Sequence, residues 1–562
     1  MKRNKIYGYI LGTVFLLSTG GCQKYLDVNQ NLNNPTAVSL GTLLTTAELN
    51  LALSIDGGGG TGLSQDLAVY MHQSTARASA DEYALVGSDF SINTSWTSFF
   101  QQMLPDIDVI IRQGKDEDNM IFVGIAKILR AYAFSQIVDL WGDVPYAEYN
   151  KFKEGIKQPK FDDDATIYPK LLAMLDEGIA DIKNPASKNP SRPGAGDVIY
   201  GGNTARWIKA ANTIKLKLYT QMRKVQNVTP QITALLADPN NLINNNSESF
   251  MVPFGPLGAT DDRNPGYYEY ISGQRVYHVS PWFYEILKGY NPNMNTGITD
   301  PRLPYYIYNQ IKPNGAAQNN TEYRDGGFVS IYFGSVGPNR DGNQQNSISL
   351  FGIYPVGGRY NDGNGGTANS GSGTGAAPLK LITYADRLYL EAELINTGVI
   401  GGDARAVFQA AMQASMAMVD YVITNYVKPS QTVPLLVPQA ATTNYINSIL
   451  GLYDIGTTAR KLEYIMTQKW LASVGNSVDQ YTDYRRTGYP VLFDPRNPAM
   501  APGGFVQPPV NGNPFVIPQL KVPVQQGLNF PLSLPWSQTE LELNGNAPPQ
   551  KTPSSYKIFW LP

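Results

Sequence analysis

The sequence is poor in the residues that hold metals, form disulfides or act as nucleophiles. Its 562 residues include one cysteine, Cys22, and two histidines, His72 and His278. A single cysteine excludes an internal disulfide, and a zinc site would have to rely on carboxylates. The motifs GxSxG, GxxxxGK[ST] and HExxH are also missing. We therefore predict no cofactor, no metal site and no catalytic residue; two acidic clusters, 115–119 and 261–262, leave calcium as the alternative to solvated turns.

Charge is scarce and balanced. Lys and Arg number 44 against 46 Asp and Glu, and charged residues make up 16% of the chain. A nucleic acid or an anionic membrane surface requires a basic partner, so this balance argues against both. Tyrosine is abundant instead, with 35 residues beside 53 glycines and 39 prolines. Rings beside amide groups suit the recognition of sugars or peptides, although tyrosine is also common in protein cores.

Cys22 directly follows a segment typical of an export leader. Three basic residues precede the apolar run Ile6–Leu17, and four small residues separate that run from Cys22. A bilayer span takes about 20 residues, so the shorter run is predicted to be a cleaved signal peptide. Its position predicts that Cys22 carries lipid, because two or more acyl chains hold a protein stably at a membrane. The alternative is a secreted protein in which this cysteine is incidental.

Four segments have apolar residues at three- and four-residue steps, which predicts strong helices. They span residues 119–140, 204–224, 379–396 and 458–474, and weaker patterns predict helices at 40–54, 94–112, 164–182, 404–426 and 443–452. Trp207 and Trp470 lie on two of the apolar stripes. We therefore expect both indole rings to be buried between helices.

The helices form two blocks, separated by a segment of different composition. Paired helices joined by short turns at about 40–225 and 380–485 predict a mainly α fold, a tetratricopeptide-like helical hairpin scaffold. Residues 226–380 and 487–562 predict long irregular, loop-rich insertions that face the ligand, with a mobile loop at 357–376. Binding residues usually lie on loops that a rigid frame positions. The predicted division is a lipoprotein signal peptide at 1–21, a lipidated tether at 22–39 and one domain at 40–562.

Four stretches of the chain resemble the SusD/RagB family of outer-membrane nutrient-binding lipoproteins, in particular its second SusD-like branch. The most specific matches are GDVPY at 142–146, QKW at 468–470 and YRRTGYP at 484–490. Each short motif is weak alone, but together, in this order and behind a lipoprotein leader, they are highly specific. The full stretches are Phe134–Glu148, Asp197–Arg223, Pro378–Glu393 and Ile465–Pro490.

The resemblance implies a fold of helical hairpins that cradle an irregular, ligand-presenting part. It also implies a location at the cell surface, lipid-anchored in the outer membrane, and a SusC-like TonB-dependent outer-membrane barrel as partner. Such a protein captures oligosaccharides, or peptides as the alternative, and delivers them to the barrel. A surface-anchored hydrolase, either a glycosidase or a peptidase, and a purely structural surface protein are the competing hypotheses.

The polar segment at 77–96 lacks a helical pattern and lies between two early helices. Charged and amide side chains can read sugar hydroxyls or peptide groups, and rings can stack on a sugar face. Trp96 begins an apolar helix face and is expected in the core. Ligand contacts from this segment are predicted at Arg77, Asp81, Tyr83 and Asn93.

A dense aromatic patch falls in the loop-rich part, with Tyr267, Tyr268, Tyr270, Tyr277 and Trp282. Any single ring in such a patch is more often buried in the core than in contact with a ligand. Tyr268 and Tyr277 are nevertheless predicted to be ring platforms for the ligand. The alternative locations on the same loop face are Tyr305–Tyr308 and Tyr354–Tyr360.

The lipid anchor leads to a direct test. A Cys22→Ala variant should appear in soluble fractions, because the acceptor of the acyl chains is missing. Fractionation followed by immunoblotting measures this, with the wild type as the membrane-bound control. If the variant loses its leader yet stays bound as tightly as the wild type, Cys22 is not the anchor.

Overall fold

The computed structural model describes residues 38–56, 62–77, 82–258 and 261–561. Cys22 and Asp81 lie outside these ranges, so the lipid anchor and one predicted ligand residue stay predictions. The signal peptide and nearly all of the predicted tether also lie outside them. The division of the chain at 21 and 39 therefore stays a prediction.

The first half of the scaffold is a series of packed helices. They are α1 Leu40–Asp56, α2 Leu63–Tyr70, α3 Phe90–Thr97, α4 Leu104–Asp116, α5 Met120–Trp141, α6 Asp164–Ile182 and α7 Thr204–Met222. Helix α4 packs on α5, α5 on α6, and α6 on α7, while α1 packs on α4. A π-helical turn, Ser98–Met103, joins α3 to α4.

The described residues of the loop-rich part form short helices: α8 Thr229–Leu236, α9 Tyr268–Ile271, α10 Pro281–Lys288, α11 Leu303–Tyr306 and α12 Ile353–Val356. Longer helices return after it: α13 Tyr384–Asn396, α14 Ala404–Val422, continued by the π-helical turn Ile423–Val427, α15 Ala440–Asp454, α16 Thr458–Ala472, α17 Ser477–Thr487 and α18 Gln538–Leu543. Helix α13 packs on both α14 and α16. These bounds confirm the mainly α, tetratricopeptide-like fold. Short 3-10 turns lie at Phe152–Glu154, Gly194–Gly196, Pro239–Asn241, Asn246–Glu248, Pro265–Tyr267 and Pro502–Gly504.

The strands are short and pair two by two, all antiparallel. They are β1 Ser74–Ala76, β2 Phe250–Val252, β3 Tyr277–Val279, β4 Ile307–Tyr308, β5 Tyr323–Asp325, β6 Phe328–Ser330, β7 Leu350–Phe351, β8 Leu379–Ile382, β9 Phe505–Val506 and β10 Val522–Pro523. The pairs are β1 with β3, β2 with β8, β4 with β7, β5 with β6, and β9 with β10. In each pair, backbone hydrogen bonds join two short stretches of otherwise irregular chain.

The helix predicted at 379–396 begins five residues later than its apolar pattern indicates. Residues 379–382 form β8 and pair with β2 instead. The helix start is set by a capping box, in which the Thr383 hydroxyl accepts from the Asp386 amide and the Asp386 carboxylate accepts from the Thr383 amide. The alternation of Leu379 and Leu381 fits a strand as well as the end of a helical stripe, so periodicity alone could not separate the two.

Within the described ranges, two helices are long and apolar enough to cross a membrane by length and composition, Met120–Trp141 and Ala404–Val427. Within the structure, 89% of the hydrophobic window of the first and 56% of that of the second is buried. Helix α5 is enclosed by α4, α6 and α7, which accounts for its apolar surface on all sides. Both helices therefore pack within the scaffold.

Helix α17 carries a buried charge network that joins three other helices. Arg486 binds Glu393 on α13 in two hydrogen bonds and also binds Asp483 at 2.6 Å. Arg223 on α7 binds the same Glu393 at 2.5 Å, and Lys469 on α16 binds Asp483 at 2.6 Å. Burial acts to raise the pKa of Asp483, but the charges of Lys469 and Arg486 outweigh it and lower the pKa to about 2. Each charge in the network therefore has a partner, as burial requires.

The neighbouring Arg485 holds residues 532–556, called here the C-terminal segment, against the scaffold. Its guanidinium donates to the backbone carbonyls of Leu532 and Asp139, at 2.8 and 2.5 Å. The Leu534 amide donates to the Leu140 carbonyl at 2.7 Å, at the end of α5. One buried arginine thus ties α17 to both α5 and the irregular chain near residue 532.

The turn at 142–146 receives the same C-terminal segment. Gly142 ends α5 with a φ of 74°, and a Cβ on it would lie 2.6 Å from the Tyr556 ring. The Asp143 carbonyl then accepts a hydrogen bond from the Trp536 indole at 2.9 Å. The GDVPY motif is therefore a joint between the helices and the loop-rich part.

The expected burial of both tryptophans is confirmed, with Trp207 at 0% and Trp470 at 2% exposure. The Trp470 indole donates to the Met71 carbonyl at 3.1 Å, and its ring meets Phe283 edge-on at 5.2 Å. Trp470 thereby connects α16 to α2 and α10.

Truncation of this ring gives a stability test. We expect Trp470→Ala to lower the free energy of unfolding by about 3–5 kcal/mol, because it removes a buried ring and leaves a cavity. Ile455→Ala is the matched control, since Ile455 is 84% exposed and should change stability by no more than about 0.5 kcal/mol. Urea unfolding followed by circular dichroism measures both. Equal midpoints for the two variants would contradict the assigned packing.

Candidate functional site

The two segments predicted to hold the ligand lie side by side. Strands β1 and β3 pair so that Ala76 faces Tyr277 across the ladder. The Arg77 amide extends this pairing by donating to the Val276 carbonyl at 3.0 Å. Arg77 and Tyr277, 200 residues apart in sequence, are therefore neighbours.

A polar loop, 337–346, packs against this pair of strands. The Arg77 guanidinium donates to the Asp341 carbonyl at 3.0 Å. Two residues before β3, the Arg275 backbone amide donates to the Gln345 side chain at 2.6 Å. The 337–346 loop is thus attached to both predicted segments.

The 337–346 loop also lines an open cleft with a volume of about 850 Å³, through Gly337, Pro338, Asn339 and Gly342. We call it the amide cleft, because carboxamides are the most frequent polar side chains in its walls: Gln318, Asn319, Asn320, Asn339, Asn513 and Gln519. Apolar contributions come from Phe515, Val516 and Leu520, and charged ones from Glu322, Arg324 and Lys521. All of these residues belong to the two loop-rich parts of the chain.

Arg324 organises one wall of the amide cleft. Its guanidinium is buried and donates to the carbonyls of Gly326, Pro313 and Gly315. Burial lowers the pKa of Arg324. The same guanidinium lies 5.3 Å from the centre of the Phe515 ring, a cation–π contact. Phe515 nevertheless remains 62% exposed and offers ring surface to the cleft.

Buried glutamines fix the loops around the cleft. The Gln519 side chain accepts from the Arg324 amide at 3.1 Å and donates to the Arg324 carbonyl at 2.7 Å. It therefore satisfies both backbone groups of Arg324, as a neighbouring strand would. Gln344 donates to the Asn320 carbonyl at 2.8 Å. Because these side chains satisfy backbone groups, the irregular walls hold a definite shape.

Tyr83 lies in the core rather than on the cleft surface. It is 8% exposed, its hydroxyl meets the His72 ring at 2.9 Å, and its ring packs on Phe333 and Phe530. Burial raises the pKa of the Tyr83 phenol and lowers the pKa of His72 to about 3. This placement leaves little of the Tyr83 ring for a ligand and argues against its predicted role.

Tyr277 and Asn93 are partly exposed, and each already has a protein partner. The Tyr277 hydroxyl donates to Asp66 at 2.6 Å, where Ser91 binds the other carboxylate oxygen. Burial raises the pKa of Asp66, against the opposing effect of these two hydroxyls. Asn93 lies on α3, not in irregular chain, and accepts from the Ser537 hydroxyl at 2.6 Å. Its contact is thus with the C-terminal segment rather than with the 337–346 loop.

The aromatic patch is divided between core and surface. Tyr267 and Tyr270 stack at 4.9 Å and are buried, whereas Tyr268 is 40% exposed. The Tyr267 hydroxyl donates to the Gly373 carbonyl, and the Tyr308 hydroxyl to that of Gly366. Tyrosine hydroxyls thus pin the glycine-rich stretch at 357–376, which its composition had predicted to be mobile. Of the rings at 267–270, Tyr268 has the surface that a ligand needs.

In the described part of the chain, the carboxylates of Asp143, Asp163 and Asp164 come close enough to share a metal ion. Each already accepts a backbone amide around the start of α6, from Asp164, Ala165 and Phe559 respectively. Burial raises the pKa of Asp164 to about 6. These contacts fit a helix start, where carboxylates stabilise free amides.

The residues of the amide cleft were missed by the sequence-based prediction, which followed aromatic density. The one signal for them is the apolar run Phe515–Ile517 between prolines in a segment without helical pattern. All three residues are at least 45% exposed. An exposed apolar run on irregular chain is typical of a binding surface.

Comparison with known proteins agrees with this architecture. A family model described as "Starch-binding associating with outer membrane", SusD-like, matches residues 32–508. A SusD homologue from Bacteroides fragilis NCTC 9343 is similar in structure, with a TM-score of 0.62, 17% identity, and 91% of this chain and 94% of that one covered. A chitin-binding protein gives a TM-score of 0.62 at 20% identity over 90% and 95%.

A SusD/RagB family protein from Bacteroides thetaiotaomicron VPI-5482 also has a TM-score of 0.62, at 18% identity over 93% of this chain and 99% of that one. Among curated proteins, no sequence matches this chain. At these identities the neighbours establish the fold, and the family model, which covers most of the chain, establishes the family. The chain belongs to the SusD-like family of glycan-binding proteins that associate with the outer membrane.

Proposed function

We propose that this protein captures oligosaccharides at the cell surface and delivers them to a SusC-like TonB-dependent barrel. The observation that carries the proposal is the amide cleft, whose open volume of about 850 Å³ lies within the loop-rich part. Membership of a starch-binding, outer-membrane-associated family supports it. Delivery to a barrel follows from the resemblance, together with the proposed lipid anchor at Cys22.

The chemistry of the cleft favours a glycan. The exposed carboxamide of Asn320 can donate to and accept from sugar hydroxyls, and the exposed Asn319, whose amide donates to the Asn343 carbonyl, can still accept through its Oδ1. Phe515 supplies a ring for a sugar face. Peptides are the second candidate, because the same amides can pair with a peptide backbone. Arg77 and Tyr277, which lie on the paired segments that hold the 337–346 loop, are proposed to extend the binding surface together with the exposed Tyr268. Asp81 and Asn93 also stay proposals.

The cleft is tested by removing its ring. We expect Phe515→Ala to weaken binding of the ligand by about 1–2 kcal/mol, which is what an aromatic anchor typically contributes. Isothermal titration calorimetry with malto- and chito-oligosaccharides, and in parallel with a peptide pool, measures this. Tyr268→Ala, measured in the same way, tests whether Tyr268 extends the binding surface beyond the amide cleft.

Phe152→Ala is the matched control, because Phe152 is 68% exposed on a turn of the helical scaffold. It should bind as the wild type does. If Phe515→Ala and Tyr268→Ala both keep wild-type affinity with intact folding, the site lies elsewhere. Binding of the peptide pool alone would replace glycan by peptide as the ligand class.

The partner is tested separately. Mild-detergent extraction of the native membrane, followed by pull-down on a tag placed on this chain, should recover a large β-barrel protein. Cys22→Ala should reduce that recovery, because the tether keeps the two proteins at one surface. Recovery of the lipoprotein alone, under conditions that preserve a known pair of this type, would contradict the proposed delivery role.

Binding without turnover is the last part of the proposal. Oligosaccharides and peptides incubated with the purified protein should be recovered unchanged by chromatography. The appearance of cleavage products, lost on mutation of a cleft carboxylate such as Glu322→Gln, would favour the surface hydrolase instead.

A further inference from the structure

A second, smaller cavity, with a volume of about 290 Å³, is lined by the turn that joins β5 to β6. We call it the hairpin cavity. The turn contributes Asp325, Gly326 and Gly327, and helix α10 contributes Tyr284 and Lys288. None of the residues that line the hairpin cavity also lines the amide cleft. It is therefore a separate place at which a ligand can bind.

Hydrogen bonds within the protein hold the walls of the hairpin cavity in place. The Arg324 guanidinium donates to the carbonyls of Gly326 and Pro313, both of which line the cavity. The Gly326 amide donates to the Gly512 carbonyl at 2.8 Å, and its φ of 59° favours glycine. The cavity is thus formed before a ligand arrives. Its volume lies at the lower end of small-molecule sites, so it suits one small molecule rather than a chain.

Two asparagine side chains in the lining have hydrogen-bonding groups that the described residues do not use. The side chain of Asn361 makes no hydrogen bond with these residues, and its Oδ1 atom is buried without a partner. Asn309 accepts from the Ser349 hydroxyl through Oδ1 at 2.7 Å, while its Nδ2 has no partner among the same residues. A buried polar atom without a partner costs free energy, and a ligand that supplies the partner removes this cost.

The charges around the hairpin cavity are balanced. Among the described residues that line it, the charged side chains are Lys288 and Asp325, so neither an anion nor a cation is favoured. The Asp325 carboxylate accepts from the Tyr284 hydroxyl at 2.6 Å and has further acceptor capacity. These groups, together with the two amides, favour a neutral ligand that carries several hydroxyls.

An exposed ring lies beside these polar groups. The Lys288 Nζ atom is 5.8 Å from the centre of the Tyr290 ring, and Tyr290 is 47% exposed. Burial and the charge of Asp325 raise the pKa of the Tyr290 phenol, since this hydroxyl is also near the carboxylate. Tyr290 therefore offers an apolar face next to hydrogen-bonding side chains, and a sugar ring presents the complementary combination.

We propose that the hairpin cavity binds one neutral sugar ring. The amides of Asn309 and Asn361 and the carboxylate of Asp325 pair with its hydroxyls, each of which can donate and accept at once. The ring of Tyr290 covers one face of the sugar. The ligand is either a free monosaccharide or the end unit of a chain. This site does not depend on the proposed capture of oligosaccharides in the amide cleft.

The first test asks whether the protein binds single sugars. The probes are D-glucose, D-galactose, D-mannose and N-acetyl-D-glucosamine, with cyclohexanol as a ring that lacks most of the hydroxyls. Saturation-transfer NMR with the full chain measures the affinity of each. We expect at least one sugar to bind, and cyclohexanol to bind at least about tenfold more weakly. No binding of any of these sugars, equal affinity for cyclohexanol, or tighter binding of the zwitterion L-serine would each overturn the proposal.

Asn361→Ala is the sharpest variant. It should weaken the preferred sugar about fivefold, because it removes an amide that pairs with a hydroxyl. It should not lower the urea midpoint of unfolding, because this side chain makes no hydrogen bond with the described residues. Tyr290→Ala removes the exposed ring and should also weaken the sugar about fivefold.

Asn425→Ala is the matched control, because Asn425 is exposed on the π-helical turn that continues α14. It should bind the sugar as the wild type does. Wild-type sugar affinity in both Asn361→Ala and Tyr290→Ala would overturn the proposal.

Phe515→Ala separates the hairpin cavity from the amide cleft. It should keep wild-type affinity for the single sugar, whatever it does to oligosaccharide binding. If Phe515→Ala loses the single sugar while Asn361→Ala keeps it, the sugar binds in the amide cleft and the proposal is overturned. The methyl glycoside of the preferred sugar distinguishes the two sources of the ligand. Affinity equal to that of the sugar supports a chain end, and a lower affinity supports a free monosaccharide.

Discussion

The fold depends on finding partners for two adjacent buried arginines on α17. Arg486 requires the carboxylate of Glu393, which in turn binds Arg223, so α7, α13 and α17 must meet at one point. Arg485 has backbone carbonyls as its partners instead, one on α5 and one in the C-terminal segment. An unpaired buried charge costs several kcal/mol, so any arrangement that separates these elements is strongly disfavoured. The helical scaffold and the loop-rich part are therefore specified together.

This constraint gives a physical meaning to the family motifs. YRRTGYP carries the two arginines, and GDVPY forms the turn at which the C-terminal segment binds through Trp536. Both motifs lie at the contact between helices and irregular chain, away from the amide cleft. The sequence resemblance therefore predicted the fold correctly and gave a ligand class, but it did not indicate which residues contact the ligand, since the matched residues build the frame rather than the cleft.

Helices were predictable where apolar residues recur at three- and four-residue steps over a long segment, as in α5, α7 and α16. The prediction was wrong at 379–382, where pairing with β2 decides the conformation. Tyr83 shows why the polar, non-helical pattern at 77–96 could not indicate which of its side chains are exposed. Its ring fills a core space between Phe333 and Phe530, and those contacts come from residues about 250 and 450 positions away. No local pattern records such a contact, whereas the pairing of β1 with β3 did bring Arg77 beside Tyr277.

Asparagine and glutamine do two different jobs in the loop-rich part, which explains why composition could not separate frame from site. The side chains of Gln519 and Gln344 donate hydrogen bonds to backbone carbonyls that are not paired in a strand ladder. Asn320 remains exposed along the same cleft, whereas Asn319 combines both roles, since it is exposed and its side-chain amide donates to the Asn343 carbonyl at 2.5 Å. The first kind orders the loops before any ligand arrives, so the second kind can bind without a large entropic cost of ordering. Exposure, which only the folded chain defines, is what distinguishes the two.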